Sequence, residues 1–222
     1  EWEDPQGVPI SAILVGGRRP NTIPLVHESM GWNHGVFMGS MMGSEITAAA
    51  ISNSIGKVRR DPFAMLPFIG YHVGDYLKHW IDMGKISNYA LLPRFYYVNW
   101  FRKDENNQYM WPGFGENSRV LKWIFERCDE EISAELTPIG YVPKIENFDV
   151  SGLNMKEETL KKLLEVDKQS WCDEVLSIRD FYHQIGEKLP HALRAELTKL
   201  EMRVNFDENA PTTASLDPIK KP

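Results

Sequence analysis

The stretch NWFRKDENNQYMWPGFGEN, residues 99–117, decides how the rest of the chain is read. Five large aromatics, Trp100, Phe101, Tyr109, Trp111 and Phe114, share it with the breakers Pro112, Gly113 and Gly115. A core strand would alternate its apolar residues, and a core helix would space them by three and four. This segment does neither, and residues 102–108 make a charged, turn-forming middle. Rings on a Gly/Pro loop suit presentation to a flat partner such as a nucleobase, each stacked base being worth roughly 1–3 kcal/mol. Asn117 adds a donor and an acceptor able to read a base edge. The other reading is that the rings plug a core beneath the loop, and the pattern alone does not choose between them.

Outward from the loop, PRFYYVNWF (residues 93–101) is β-branched and aromatic and predicts a strand. Residues 117–128 predict a helix with Val120, Leu121, Ile124 and Phe125 as its apolar stripe. The N-terminus of that helix follows Gly-Phe-Gly-Glu, so free N–H groups and the helix dipole would favour acceptor atoms held by the loop. Residues 9–15 predict a buried strand running into Gly16-Gly17-Arg18-Arg19. Two glycines allow close backbone approach and arginine offers a planar fork to phosphate oxygens, so the turn suits an anion; alone it reads equally as a tight turn with solvated arginines.

The bulk numbers exclude several classes. With 222 residues, 42% of them hydrophobic, the chain can bury one sizeable core or two small ones. Its 25 Lys+Arg against 31 Asp+Glu give a net charge of −6, which argues against a nucleic-acid or membrane-surface binder. Cys128 and Cys172 form no metal or redox motif and read as buried free thiols of a reducing compartment. No apolar run is long enough to span a bilayer. The chain opens EWEDPQG with no initiator Met and no signal pattern, and is expected to be a piece of a longer polypeptide.

Elsewhere, residues 24–28 and 35–42 have strand character, with His27 and His34 as packing or hydrogen-bonding residues and Met38, Met41 and Met42 as core filler. Residues 43–56 are small and glycine-bounded, a compact element able to hinge. Phe63, Met65 and Phe68 read as core anchors. A helix over residues 71–83 should stop at Gly84, carrying His72 and His79 without metal-binding partners. Residues 136–143 read as irregular. Helices are expected at 156–166, 170–185 and 191–202, the last opened by Pro190, and residues 205–222 should be a disordered tail.

Several blocks then resemble one family. NWFRKD (99–104), WPGFGENSRVL (111–121), DPQGVPISAI (4–13), GGRRP (16–20), DPFAM (61–65) and LTPIGYVP (136–143) are similar to the guanine-binding region of GTP-dependent phosphoenolpyruvate carboxykinase, in that family's order and nearly its spacing. The helical region beyond resembles the family's C-terminal end more loosely. The resemblance implies that Arg18 contacts the nucleotide phosphates while Arg19 is structural. It implies that residues 43–56 are a mobile lid, with Ser44, Glu45, Thr47, Ala48, Ala49 and Ala50 at its heart. Guanine would lie between Phe101 and Phe114, with Tyr109 against its edge. Gly115, Glu116 and Asn117 would hydrogen-bond the base, Asn117 choosing guanine over adenine because an unpaired polar site penalises the wrong base. The family more often has Phe at the position of Tyr109.

The implied reaction converts oxaloacetate and GTP to phosphoenolpyruvate, carbon dioxide and GDP, a decarboxylation of gluconeogenesis. It uses Mn²⁺ or Mg²⁺, whose ligands, with the phosphate loop, are expected outside this chain. No G-x-x-x-x-G-K-[ST] motif and no complete catalytic centre occur in these 222 residues, so the isolated chain is expected to turn over no oxaloacetate. The expected partners are GTP/GDP and, in the full-length enzyme, oxaloacetate and phosphoenolpyruvate. No nucleic acid or membrane partner is expected, the full-length enzyme should be monomeric, and the compartment is cytoplasmic with a mitochondrial form open. Two departures matter: Gly43 stands where the family usually has arginine, and the lid exit, residues 51–56, is longer and uncharged. They support a second reading, a divergent non-catalytic guanine-nucleotide-binding or protein-interaction module.

The expected fold is α/β, a mixed α+β lobe over residues 1–148 whose mixed sheet carries the lid (43–56) and the guanine loop (99–117). A helical subdomain at 149–204 would close it, with the tail at 205–222.

Overall fold

The computed structural model describes residues 2–46, 57–86 and 88–205. Strands β1 (Ala12–Gly16) and β2 (Val26–Glu28) are followed by helix α1 (Trp32–Ser40) and two short strands, β3 (Gly43–Glu45) and β4 (Val58–Arg60). Helix α2 (Val73–Ile86), strand β5 (Arg94–Val98) and helix α3 (Asn117–Cys128) come next. Strands β6 (Ala134–Thr137) and β7 (Gly140–Pro143) then lead to helices α4 (Glu157–Leu164), α5 (Lys168–Ile185) and α6 (His191–Asn205). Five strands form one mixed sheet in the order β1-β5-β2-β7-β6. Only β1 and β5 run parallel; the other neighbours are antiparallel. β3 and β4 make a separate antiparallel ladder.

The sequence of β5, Arg-Phe-Tyr-Tyr-Val, explains the layering. Its side chains alternate faces, and both faces are covered, so the strand reads as an unbroken apolar run. Phe95 and Tyr97 join a core with Trp32, Val36 and Phe37 of α1, Leu77 of α2, Trp171 and Ile178 of α5, and Leu193 and Leu200 of α6. Tyr96 and Val98 join the opposite core with Val120, Trp123 and Ile124 of α3 and Leu160, Leu163 and Leu164 of α4. The C-terminal helices therefore divide between the faces: α4 packs on one side, α5 and α6 on the other.

Several local expectations change. Residues 35–42 belong mostly to α1 rather than to a strand, because a short, fully buried apolar run carries no period to separate the two. Gly35 and Gly39, four apart, let that helix lie flat; a Cβ on them would overlap the rings of Phe95 and Phe63. α2 runs through Gly84, which is a close-packing position against Trp32 rather than a helix stop. β1 is the sheet edge, so only Val15 of it is buried and Leu14 is 43% exposed. Residues 134–143 form the β6–β7 hairpin in place of the expected irregular segment at 136–143, turning through Pro138 and Ile139 and re-entering the sheet at Gly140 with φ +130°. The buried stripe of α3 is Val120, Trp123 and Ile124; Leu121 and Phe125 face out. Phe63 stacks on Trp80 with centroids 4.6 Å apart, whereas Met65 and Phe68 are exposed and anchor nothing. Both cysteines are free and half-buried rather than buried. Met38, Met41 and Met42 fill the core as expected. The expected tail beyond residue 205 lies outside the described residues.

Candidate functional site

The last residues of the two parallel strands, Gly16 and Val98, are register partners, so the loops that follow them leave the sheet side by side. That carboxyl end is where open α/β sheets hold ligands. The glycines are dictated by contact: a Cβ on Gly16 would run into the carbonyl of Val98, and one on Gly17 into the carbonyl of Gly43. A groove of about 480 Å³ opens there, lined by Leu14, Gly17, Arg18, Ser44, Trp100 and Phe101 among others.

Arg18 is exposed and makes no ion pair among the described residues, so its guanidinium is available. Its backbone is held from β3. The Arg18 N–H donates to Ser44 Oγ at 3.1 Å, and its carbonyl accepts from the Glu45 N–H at 2.8 Å. Ser44 and Glu45 lie on β3, and the β3–β4 ladder forms the two feet of the segment expected to be a lid. Thr47, Ala48, Ala49 and Ala50, with the rest of residues 47–56, lie outside the described residues.

Arg19 points the other way. It is 2% exposed, and its two terminal nitrogens meet the Glu174 carboxylate of α5 at 2.8 and 2.6 Å. Arg60 Nη1 reaches the same carboxylate at 2.8 Å. Burial alone would push the Glu174 carboxyl up, but the hydrogen bond and charge of Arg19, with Arg60, hold it at about 2.

Asn99, wholly buried at the end of β5, bolts the two loops together. Its oxygen accepts from the N–H groups of Arg19 (3.2 Å) and Phe101 (3.3 Å), and its amide nitrogen donates to the carbonyls of Arg19 and Ile23 (both 2.9 Å). Those four bonds exhaust the group. The aromatic loop that follows is a built hairpin. Asp104 Oδ1 accepts from the N–H groups of Asn106 and Gln108, Met110 N–H donates to Arg102 O, and buried Arg102 donates to the carbonyl of Glu165.

The two readings of the five rings both hold, for different rings. Trp111 is 2% exposed and packs against Phe148 in the core. Trp100 and Phe101 are half-buried on the groove. Tyr109 is 60% exposed, edge-on to Phe101 with centroids 6.0 Å apart. Phe114 is 98% exposed at φ +42°, a strained conformation for a side-chain-bearing residue, and no ring pairs with it among the described residues. The predicted flanking rings are thus accessible, and the groove is lined by Phe101 but not by Phe114.

The predicted base-reading residues split in the same way. Asn117 opens α3, and its side-chain oxygen accepts from Trp111 Nε1 at 2.9 Å, leaving its amide N–H groups without a partner among the described residues. The expected free N–H groups at this helix start are partly consumed: a 3₁₀ turn over Phe114–Glu116 bonds Glu116 N–H to Gly113 O and Asn117 N–H to Phe114 O. The Gly115 carbonyl accepts from Ser118 Oγ. The Glu116 carboxylate pairs with Arg119 at 2.5 Å, so its side chain is committed to its own helix.

Three residues that shape the site were not singled out from sequence: Asn99, Arg60 and Glu174. Asn99 had a signal, an amide at the end of a buried strand; the ion pairs of Glu174 span 155 and 114 residues and left none. His27 and His34 are core residues. His27 stacks on Tyr97 with neither nitrogen partnered among the described residues, and His34 Nδ1 accepts from Met30 N–H. Among the described residues no three His, Cys, Asp or Glu side chains converge as a metal site, so the divalent cation implied by the resemblance has no ligand set among them.

The sequence profile described as the phosphoenolpyruvate carboxykinase C-terminal P-loop domain matches residues 1–203. The GTP-dependent phosphoenolpyruvate carboxykinase of Treponema pallidum (strain Nichols) is 52% identical over 216 residues, 97% of this chain and 35% of that protein. The Chlamydia muridarum enzyme of the same name is 51% identical over 202 residues (90% of this chain, 33% of the relative), and that of Renibacterium salmoninarum 50% over 204 residues (92% and 33%). The chain spans about a third of the length of these relatives.

Proposed function

The chain belongs to the GTP-dependent phosphoenolpyruvate carboxykinase family, matching its C-terminal domain, and on that premise we propose that it holds the guanine nucleotide of the reaction that converts oxaloacetate and GTP to phosphoenolpyruvate, carbon dioxide and GDP. One observation carries the reading: Arg18, Ser44 and Phe101, which lie far apart in sequence, line a single groove at the carboxyl ends of β1 and β5.

In this reading Arg18 presents its fork to the phosphates, where a charge-assisted pair is strongest. Phe101 and Phe114 take the faces of the purine and Tyr109 its edge. The Asn117 amide donates to the guanine carbonyl oxygen; adenine carries an amino group at that position and would set donor against donor. Of the neighbouring residues, Gly115 contributes backbone and Glu116 orients the helix start through Arg119. Ser44 and Glu45 tie the lid's feet to Arg18, so closure of residues 43–56 and grip on the phosphates are mechanically linked, and the nucleotide is shielded from water during transfer. Residues 149–204 close the lobe, and a divalent cation, when bound, would screen the phosphates, its ligands lying outside the described residues.

Titrating GDP and ADP against intrinsic fluorescence tests this, since Trp100 lines the groove and Trp111 touches Asn117. A saturable response to GDP at concentrations where ADP gives none is expected. Equal responses, or none to either, would overturn the proposal.

A further inference from the structure

The carboxylate of Glu174 is, among the described residues, the one anion paired with two buried arginines that come from different elements. Arg19 follows Arg18 in the loop after β1, and Arg60 ends β4, the returning foot of the lid segment. Glu174 is 6% exposed and bonds Arg19 through both oxygens and Arg60 through one. Arg60 is secured further by Met41 O at 2.7 Å and Ser177 Oγ at 2.8 Å, both bonds donated by its guanidinium. The ring closes on the other side: Arg60 is the register partner of Gly43, the next pair is Ser44 with Arg59, and Ser44 Oγ accepts from the Arg18 N–H. Arg18 thus sits on a backbone clamped by Ser44 and Glu45 on one flank and by Arg19 on the other, and both clamps lead to one carboxylate on α5.

We propose that Glu174 is a positioning residue for nucleotide phosphate. It sets where Arg18 stands relative to the lid's feet, so that α5, none of whose described residues lines the groove, governs how tightly the phosphates are held. The proposal rests on the reading of Arg18 as the phosphate contact. Its physical basis is that two guanidiniums buried together repel unless the intervening charge is present, and that the penalty for removing one partner of a buried network falls on the groups left behind. Loss of the carboxylate would therefore push Arg19 and Arg60 apart and shift the backbone between them. Phe114 hangs from the turn that opens α3 and Tyr109 from the 102–110 hairpin, neither bonded to this cluster, whereas Phe101 is joined to Arg19 through Asn99, so the base contacts would be disturbed less than the grip on the phosphates.

That separation supplies the test. Affinities for GDP and for guanosine, which has the base and sugar but no phosphate, are measured for the wild-type protein, Arg18→Gln, Glu174→Gln and Glu174→Asp. The ratio of GDP to guanosine affinity is expected to fall about tenfold in Glu174→Gln, towards that of Arg18→Gln, with a smaller loss of guanosine binding. Glu174→Asp, which keeps the charge on a shorter arm, is expected to lie between wild type and Gln; it carries the test alone if the Gln variant does not fold. A ratio equal to wild type in the folded variants, or GDP and guanosine weakened in proportion, would overturn the positioning role. A wild-type protein that binds GDP no better than guanosine would overturn the reading of Arg18 itself, and this proposal with it.

Discussion

The indole N–H of Trp111 donates to the side-chain oxygen of Asn117 at 2.9 Å, across six residues and between the core and the surface. An indole nitrogen only donates, so the amide has one sensible orientation: oxygen towards Trp111, NH₂ away from it. A buried tryptophan thereby decides that the outward face of Asn117 is a donor, the complement of a carbonyl.

Replacing that donor separates recognition from stability. Asn117→Asp keeps an acceptor for Trp111, so the thermal midpoint should hold, while GDP affinity falls about tenfold and the preference over ADP narrows. Asn117→Ala loses the preference too, and also leaves the indole N–H without its partner, at a cost of about 1–3 kcal/mol in unfolding free energy. Calorimetric titration and thermal melting of the two variants check both halves. Unchanged discrimination in Asn117→Asp would count against the amide.

Phe114 and Trp111, three residues apart, should behave as opposites. Phe114 is 98% exposed, so Phe114→Ala should leave unfolding unchanged within about 0.5 kcal/mol while costing roughly 1–3 kcal/mol of GDP binding. Trp111→Ala, at 2% exposure, should destabilise the fold by about 3–5 kcal/mol. Denaturant unfolding alongside GDP titration distinguishes the pair; a Phe114→Ala protein that binds GDP normally would remove that ring from the site.

Acid should weaken the fold well above the range of the carboxylates. Burial, and for His27 the nearby His34, lowers the His27 imidazole from 6.5 to about 3; burial, then Arg203 and Lys199, lowers His34 to about 3. Both are neutral in the folded state. Their contribution is complete above 6.5 and is lost as pH falls towards 3, because the unfolded chain takes up protons that the folded chain refuses, at about 1.4 kcal/mol per pH unit for each group. Glu174, held at about 2 against an ordinary 4.5, adds its own loss below 4.5. His27→Leu gives up no hydrogen bond among the described residues, where both ring nitrogens lack partners, and should roughly halve the slope of stability between pH 6 and pH 4.5. Urea midpoints across that range measure it.

Particular residues explain what was legible in the sequence. β5 is legible because Phe-Tyr-Tyr-Val is apolar on both faces, and α3 spans the predicted residues 117–128 although its buried stripe includes Trp123 in place of Leu121 and Phe125. α1 was misread because Gly35 to Ser40 is buried all round and has no polar face to reveal its period. The β6–β7 hairpin was hidden by Pro138 and by Leu136, which is exposed on a sheet edge. The groove residues could be named from their motifs, but their convergence follows from the β1–β5 register; the commitment of Glu116 to Arg119, an i,i+3 pair at the helix start, was open to charge patterning. The Arg19–Glu174–Arg60 cluster is a purely tertiary feature.

The side-chain amide resonances of Asn117 in a ¹H–¹⁵N spectrum, assigned by their loss in Asn117→Asp, report the central claim most directly. Saturating GDP should move both Asn117 NH₂ signals downfield while equimolar ADP leaves them in place. If GDP binds, as judged by shifts along residues 16–19, and the Asn117 amide does not move, the guanine carbonyl is read by some other group.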